Sequence, residues 1–488
     1  MVLVGISRGS GGPVHRQIYD GVRARILEGS LPPGQRLPST RSLSEDLRVS
    51  RSTVVRAFDQ LVADGYIEAF SRGSTRVNRR LPDTLIRAAS PPRRRRPGSV
   101  IRAPSTRAKR ITDAWPPFEP AAPRPPRPFR TSVPALDVFP MEIWGRLMAR
   151  RWRRASPASL AYQDPRGIPA LREAIASYLR TARGVRCNPD QVLITAGSQQ
   201  ALDLVARTVL EPGDPVWMED PGYFGAAGAF ASAGARLVPV PIDAEGLNVA
   251  EGMRRAPDAR LAFVTPARQM PLGVTMSLRR RLDLLAWAAS HHAWILEDDY
   301  DSEFRYDTRP LASLQGLDEH DAVLIVGTFS KVMLPSLRLG YVVVPEPLID
   351  PLLTVRRFAD LCPPPLMQGV MADFMTEGHF ERHIRRMRAI YQSRRRMLST
   401  LITRTLGHLV DVDAPDAGMN LIAWLPRTMK DTAAADALRA AGIDALPISS
   451  CAIEQRPRPG LLLGFSGVRE HDLKTGVATM ARVLEKLK

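Results

Sequence analysis

Apolar positions near the start of the chain recur at helical spacing. Ile18, Val22 and Ile26 lie four apart in PVHRQIYDGVRARILEG and draw one stripe, which Gly29, Pro32 and Pro33 end. PGQRLPSTRSLSEDLRVS predicts a second, short helix starting near Ser39. A third, RSTVVRAFDQLVADG, takes Ser50 as its N-cap and turns Val54, Phe58, Leu61 and Val62 to a core; Gly65 closes it in the left-handed region. YIEAFSRGSTRV then predicts two short strands about a Gly-Ser turn. Residues 13–78 therefore predict three helices and a hairpin, a winged helix-turn-helix of α+β type.

The pattern stops at residue 79. Residues 79–130 hold twelve prolines and fourteen Lys or Arg, including the run PPRRRRPGS. Such a stretch cannot bury a core and predicts a semi-extended, cationic linker over residues 79–135. From residue 136 to 488, short apolar runs alternate with helical patterns: QVLIT, PVWME, RLVPVPI, RLAFVT, AWILED, AVLIVGT and RLGYVVVP among segments such as ALDLVARTVL and RRLDLLAWAAS. That alternation predicts an α/β body around a largely parallel sheet. From about residue 375 the pattern turns helical and then mixed, predicting a second, smaller lobe.

Charge divides the chain in the same place. Residues 1–135 carry 25 Lys or Arg against 10 Asp or Glu, a net +15 of the chain's +18. A basic N-terminal module that meets a polyanion, joined to a nearly neutral body, accounts for that asymmetry. The three cysteines, Cys187, Cys362 and Cys451, form neither a disulfide framework nor a metal cluster, so no metal is expected. No apolar run reaches membrane-spanning length and MVLVGISRGSGG lacks a signal-peptide core, so the expected setting is soluble and cytoplasmic, with no membrane.

In a winged helix-turn-helix the third helix enters the major groove N-terminus first. Arg51, Ser52 and Thr53 stand at that end and Arg56 one turn on; Arg41 in the second helix, with Arg72 and Gly73 in the wing, suit backbone or minor-groove contact. LPSTR, VSRSTV and DGYIE occur here in order, and the segment resembles the winged-helix domain of the GntR family of bacterial repressors and activators. The resemblance implies a double-stranded DNA operator as partner, in a nucleoid-associated bacterial protein.

Ligands of open α/β sheets gather where strands end. QVLIT is followed by AGSQQ, a glycine turn opening a helix and so an anion site. PVWMED is followed by PGYFG, AWILE by DDYDSEF, and AVLIVG by TFSK, with Arg338 seven residues beyond Lys331. An anion cradle, an aromatic, a buried carboxylate, a lysine and a hydroxyl/arginine pair are what pyridoxal 5'-phosphate requires. Taken singly, each has a plainer reading: Tyr223 as a surface aromatic, Asp298 as a helix cap, Ser198 as a turn residue.

In this order the motifs resemble those of fold-type I pyridoxal-phosphate-dependent aminotransferases, with large and small lobes. The resemblance implies Lys331 as the catalytic, Schiff-base lysine and Asp298 as partner of the pyridine nitrogen. Tyr300 would contact the ring hydroxyl and Tyr223 stack on the ring. Ser198, Gln199, Thr328, Ser330 and Arg338 would hold the phosphate, and Tyr162 of AYQDPRG would reach the phosphate of a neighbouring subunit. A GntR-type reader, a basic linker and such a body make the chain similar to the MocR/GabR-type regulators. That group implies a homodimer, often domain-swapped head to tail, responding to a small-molecule effector, either pyridoxal phosphate or an amino compound.

Two departures bear on catalysis. Aminotransferases hold the substrate carboxylate with an arginine near the C-terminus, whereas GLLLGFSG places Leu462 there. In TPARQMPLG, Arg268 and Met270 stand where the group usually has histidine and phenylalanine; Arg268 is either a replacement clamp at the effector site or a surface residue. The readings are then a DNA-binding regulator with a sensing body, or a working aminotransferase carrying a DNA module. The missing arginine and the basic N-terminal third favour the regulator. A regulator that has lost its cofactor is a third reading, opposed by the set Lys331, Asp298, Tyr223 and Arg338.

Overall fold

A computed structural model describes residues 12–70, 74–79, 81, 103–114, 127–306, 312–413 and 415–488. Arg72, Gly73 and the PPRRRR run lie outside the described residues. The chain divides into two compact units, Met1–Ala103 and Pro104–Lys488.

In the first unit, α1 (Val14–Leu27) buries Ile18, Val22 and Ile26. α2 (Thr40–Leu47) starts where the Ser39 side chain accepts a hydrogen bond from Ser42 N, and α3 (Arg51–Ala63) where Ser50 accepts one from Thr53 N. These two caps satisfy backbone donors that a helix start leaves open, each worth about 1 kcal/mol. Along α3, Val54, Ala57, Phe58 and Leu61 are buried, but Val62 is 40% exposed. The expected core position at Val62 is thus wrong: one residue past Leu61 is a 100° turn off the stripe, and Ala57 occupies the inward place instead. Gly65, at φ +75°, ends the helix as expected.

β1 (Ile67–Phe70) and β2 (Ser74–Val77) pair antiparallel, Ile67 opposite Val77 and Phe70 opposite Ser74. Residues 35–37 add to the β2 edge through Leu37 N–Thr75 O at 2.8 Å and Val77 N–Gln35 O at 2.9 Å. Polar contacts tie α1 to the segment between α3 and β1: Tyr19 Oη donates to Asp64 at 2.6 Å and Arg23 Nε to Tyr66 Oη at 2.7 Å.

The second unit opens with a helix, Thr106–Ala114, none of whose side chains is buried. The expectation of a wholly semi-extended linker is corrected there, because STRAKRITDA lacks the prolines that break the flanking sequence. The boundary at residue 136 also moves: Phe129 is fully buried and bridges to Gly464, so the body's core begins before the linker was expected to end.

The large sheet comprises β3 (Val192–Thr195), β4 (Pro215–Asp220), β5 (Arg236–Asp243), β6 (Gly246–Leu247), β7 (Leu261–Val264), β8 (Trp294–Asp299), β9 (Val323–Thr328) and β10 (Gly340–Val343), in the order β3-β10-β9-β8-β7-β4-β5-β6. Neighbours from β9 to β5 are parallel; β10 runs antiparallel between β3 and β9, and β6 folds back on β5. β3, β4, β7 and β9 are buried at every position, as strands covered on both faces must be. The register places Thr195, Gly340 and Thr328 side by side, so the chain segments leaving β3 and β9 emerge together. The smaller lobe carries the long helix His379–Leu406 and an antiparallel sheet of β11 (Asp411–Asp413), β12 (Asn420–Trp424), β13 (Leu446–Pro447) and β14 (Gly460–Gly464), ordered β11-β12-β14-β13. No helix among the described residues is long and apolar enough to cross a membrane.

Candidate cofactor site and nucleic-acid interface

β9 delivers Lys331 between buried anchors. Phe329, Val332 and Met333 are at most 3% exposed, and Ser330 N donates to Thr328 Oγ1 at 3.1 Å, curling the chain after the strand. Burial lowers the Lys331 pKa by penalising the ammonium; Asp298 and Asp301 oppose that shift without cancelling it. A lysine so placed holds a larger fraction of free amine than a solvated one, which is what a nucleophile needs.

β8 sorts its three acids by face. Glu297 accepts backbone hydrogen bonds from Leu314 and Gln315, at 3.1 and 3.2 Å. Asp299 takes Arg183 Nε at 2.7 Å in a buried ion pair. Asp298, between them, points the other way by strand alternation. It is 4% exposed and its Oδ1 has no hydrogen-bond partner. Burial first, and the neighbouring Asp299 second, push its pKa up to about 7, while Lys331 pulls it down. The Tyr300 hydroxyl is likewise buried and lies beside the Arg268 guanidinium without a well-formed hydrogen bond; burial and then Asp301 raise its pKa well above that of a solvated phenol, while Arg268 opposes the shift.

The other ring and phosphate candidates converge on the same crevice. Tyr223 starts the helix Phe224–Ala233; burial raises its pKa to about 12, with Asp298 adding to the shift and Arg338 opposing it, so both lie within electrostatic reach. Gln199 donates to Gly225 O at 2.8 Å and ties this helix start to that of Ser198–Val209. Gly197, the N-cap there, has φ +93°, and a Cβ on it would stand 3.4 Å from the Arg338 guanidinium. The cradle thus needs glycine for its backbone conformation. Arg338 itself sits at φ +49° on the turn before β10.

Orphaned Asp298 and Tyr300 oxygens, a basic lysine opposite, and an open helix N-terminus beside an arginine fit pyridoxal 5'-phosphate in each part: ring nitrogen, ring hydroxyl, aldehyde and phosphate. Tyr162 does not join them. It is 86% exposed and lines a surface cavity of about 600 Å³ with Gln163, Leu353, Arg357 and Leu361. Leu462 is 1% exposed and packs with Met270, Ile422 and Ile448, so the strand brings no cation to that wall. Arg268 is not a surface residue, which removes one of its two expected roles: it is 5% exposed, pairs with Asp301 at 3.4 Å and donates to Asn420 O at 2.8 Å.

Asp301 and Asp220 were not foreseen. Asp220 accepts the N–H groups of Ile453, Glu454 and Gln455 at 2.8–2.9 Å, fastening the 453–455 loop to the end of β4. Only the density of acids in EDDYDSE hinted at Asp301; nothing local signals Asp220, whose partners lie over 230 residues away. Among the described residues no group of side chains could hold a metal ion.

On the reader, Arg51, Ser52 and Arg56 are exposed at the α3 start, as a groove-entering helix requires. The hydroxyls of Ser52 and Thr53 are not idle: both contact Ser50 Oγ, at 3.0 and 2.6 Å, so the cap partly uses them. Arg41 is exposed and makes a solvent-screened pair with Glu45 at 3.4 Å. A feature missed in the sequence is that Arg36 and Arg76 face one another across the added edge, two exposed like charges that a shared anion would relieve.

Residues 14–77 match the model of bacterial regulatory proteins of the gntR family, and residues 138–462 that of aminotransferase class I and II. The chain is 39% identical over 468 residues to the probable rhizopine catabolism regulatory protein MocR of Rhizobium meliloti, covering 96% of this chain and 93% of that one. It is 31% identical over 394 residues to the pyridoxine biosynthesis transcriptional regulator PdxR of Corynebacterium glutamicum, covering 80% and 79%. Among solved structures, the α-aminoadipate aminotransferase LysN of Thermus thermophilus, complexed with N-(5'-phosphopyridoxyl)-L-leucine, superposes with a TM-score of 0.68 at 27% identity, over 78% of this chain and 95% of that one. With a gntR reader at one end, an aminotransferase body at the other and such relatives along nearly its whole length, the chain belongs to the MocR/GabR-type transcription regulators of the GntR family.

Proposed function

We propose that this regulator binds pyridoxal 5'-phosphate in the crevice at Lys331 and uses the occupied body to sense a small amino compound, or the cofactor itself. The observation that carries the reading is the unpartnered, buried Asp298 oxygen in the electrostatic field of Lys331. A buried carboxylate without a partner is costly and persists where a cationic ring nitrogen would complete it. Lys331 is the covalent anchor, Asp298 holds the ring nitrogen's proton, and Tyr300 meets the ring hydroxyl. Tyr223 covers the ring, while Ser198, Gln199, Thr328, Ser330 and Arg338 grip the phosphate. The cofactor when bound supplies an electrophilic carbon that amines compete for; the chain supplies the field, the orientation and the lysine.

The reader binds a double-stranded operator through Arg51, Ser52, Thr53 and Arg56, with Arg41 on the backbone and Arg36 and Arg76 straddling a phosphate. Tyr162, exposed on its own body, reaches the phosphate of a second copy in a dimer, and head-to-tail swapping would place two readers on paired half-sites. The alternative, a working aminotransferase, finds no support at Leu462, where an apolar wall stands in place of a carboxylate clamp.

The test is the visible spectrum of the purified chain with and without borohydride. A yellow band that borohydride bleaches, and that Lys331→Ala lacks, supports the assignment. A protein that stays colourless with added pyridoxal 5'-phosphate refutes it.

A further inference from the structure

β14 alternates cleanly: Leu461 and Leu463 point into the main core, and Leu462 alone on that strand belongs to the separate cluster against which Tyr223 and Tyr300 pack. That cluster forms one wall of the crevice, and Met270, Ile422 and Ile448 complete it with carbon and sulfur only. The arginines beside it, Arg268 and Arg458, each have an acidic partner. Arg268 pairs with Asp301 through Nη1 and donates to Asn420 O through Nη2, its Nε is buried without a partner, and its guanidinium fills the space that a Cβ on Gly418 would need. Arg458, 5.7 Å over the Trp424 ring, is taken up by Asp411 on the exposed side. The acids Asp298 and Asp301 lie within electrostatic reach of Lys331 on the floor. Among the described residues, then, the wall itself carries no positive charge, and the guanidinium buried beside it is already paired with Asp301. A carboxylate pressed against it would be desolvated without a partner, whereas an uncharged body would bury apolar surface.

We infer that the ligand this body reads is a primary amine that carries no carboxylate, its amino group toward Lys331 and its uncharged body against the Leu462 wall. The inference rests on the cofactor reading above and narrows it from amino compounds in general to amines.

The experiment uses the full chain loaded with pyridoxal 5'-phosphate and freed of excess. Three matched pairs are titrated against the visible band, with concentrations corrected for the unprotonated fraction: isopentylamine and leucine, 2-phenylethylamine and phenylalanine, ethylamine and alanine. The expected result is that, in at least one pair, the amine half-saturates at a concentration about tenfold or more below its amino acid. Leu462→Arg should shrink or reverse that preference; if the variant misfolds, the unmodified chain still decides. A coloured protein that prefers the amine in no pair overturns this inference and leaves the cofactor reading standing. A protein with no band at all overturns both.

Discussion

Replacing Asp298 by Asn should stabilise the cofactor-free protein and weaken cofactor binding, two effects of opposite sign from one atom. The carboxyl is buried, and burial pushes its pKa from 3.8 up to about 7. A shift of about 3 pH units corresponds to roughly 4 kcal/mol of penalty on the charged form. Because the folded pKa lies above the unfolded one, the penalty is absent below about pH 4, grows as pH rises, and is complete above about pH 7. Asn has nearly the same shape and no charge to bury. Lys331, however, loses a partner, so the net gain in apo stability at pH 8 should be about 2–4 kcal/mol. For a body of this size that is about 3–5 °C in Tm. Thermal unfolding of the apo protein at pH 8 and pH 5 reads it directly, and the gain should shrink at the lower pH. With cofactor the sign reverses: the ring nitrogen loses its counter-charge and affinity for pyridoxal 5'-phosphate should fall about tenfold or more. An apo variant less stable than the parent at pH 8, or a gain indifferent to pH, would refute the assignment of strain to this carboxylate.

Three further outcomes are expected. Arg51→Ala should cost about 1–3 kcal/mol in binding to a specific operator while sparing random-sequence binding, measured by fluorescence anisotropy at fixed salt; an equal loss on both would make Arg51 a phosphate contact only. Gly197→Val should abolish the visible band, since the residue has φ +93°, a backbone conformation that a β-branched side chain rarely adopts; a variant that retains the band would place the phosphate elsewhere. Phe58→Ala should destabilise the reader by about 3–5 kcal/mol, enough to remove DNA binding from so small a unit, and leave the band of the body unchanged.

Much of the candidate site was legible because its residues lie at strand ends, and strand ends show in a sequence as abrupt changes of polarity. TFSK after AVLIVG and DDYDSEF after AWILE announce themselves in this way, and sheet order then brings them together: Asp298 lies opposite Val326 on β9, five residues before Lys331. Arg268 could not be resolved in the same manner. TPARQMPLG reads equally as a surface turn or a binding loop, and the deciding partners, Asp301 and Asn420, are 33 and 152 residues away. Asp220 and its three backbone donors were invisible for the same reason.

Periodicity and capping are local properties, so the sequence by itself determined the three reader helices, their Ser39 and Ser50 caps and the alternation of the body, and it singled out Lys331 as the candidate lysine. Tertiary structure alone decided that Val62 faces solvent, that Phe129 belongs to the body, that Arg268 is buried and paired with Asp301, and that Leu462 looks toward the two tyrosines. Each of these depends on which surface packs against which, and that is settled by contacts between segments whose separation along the chain carries no signal of their meeting in space.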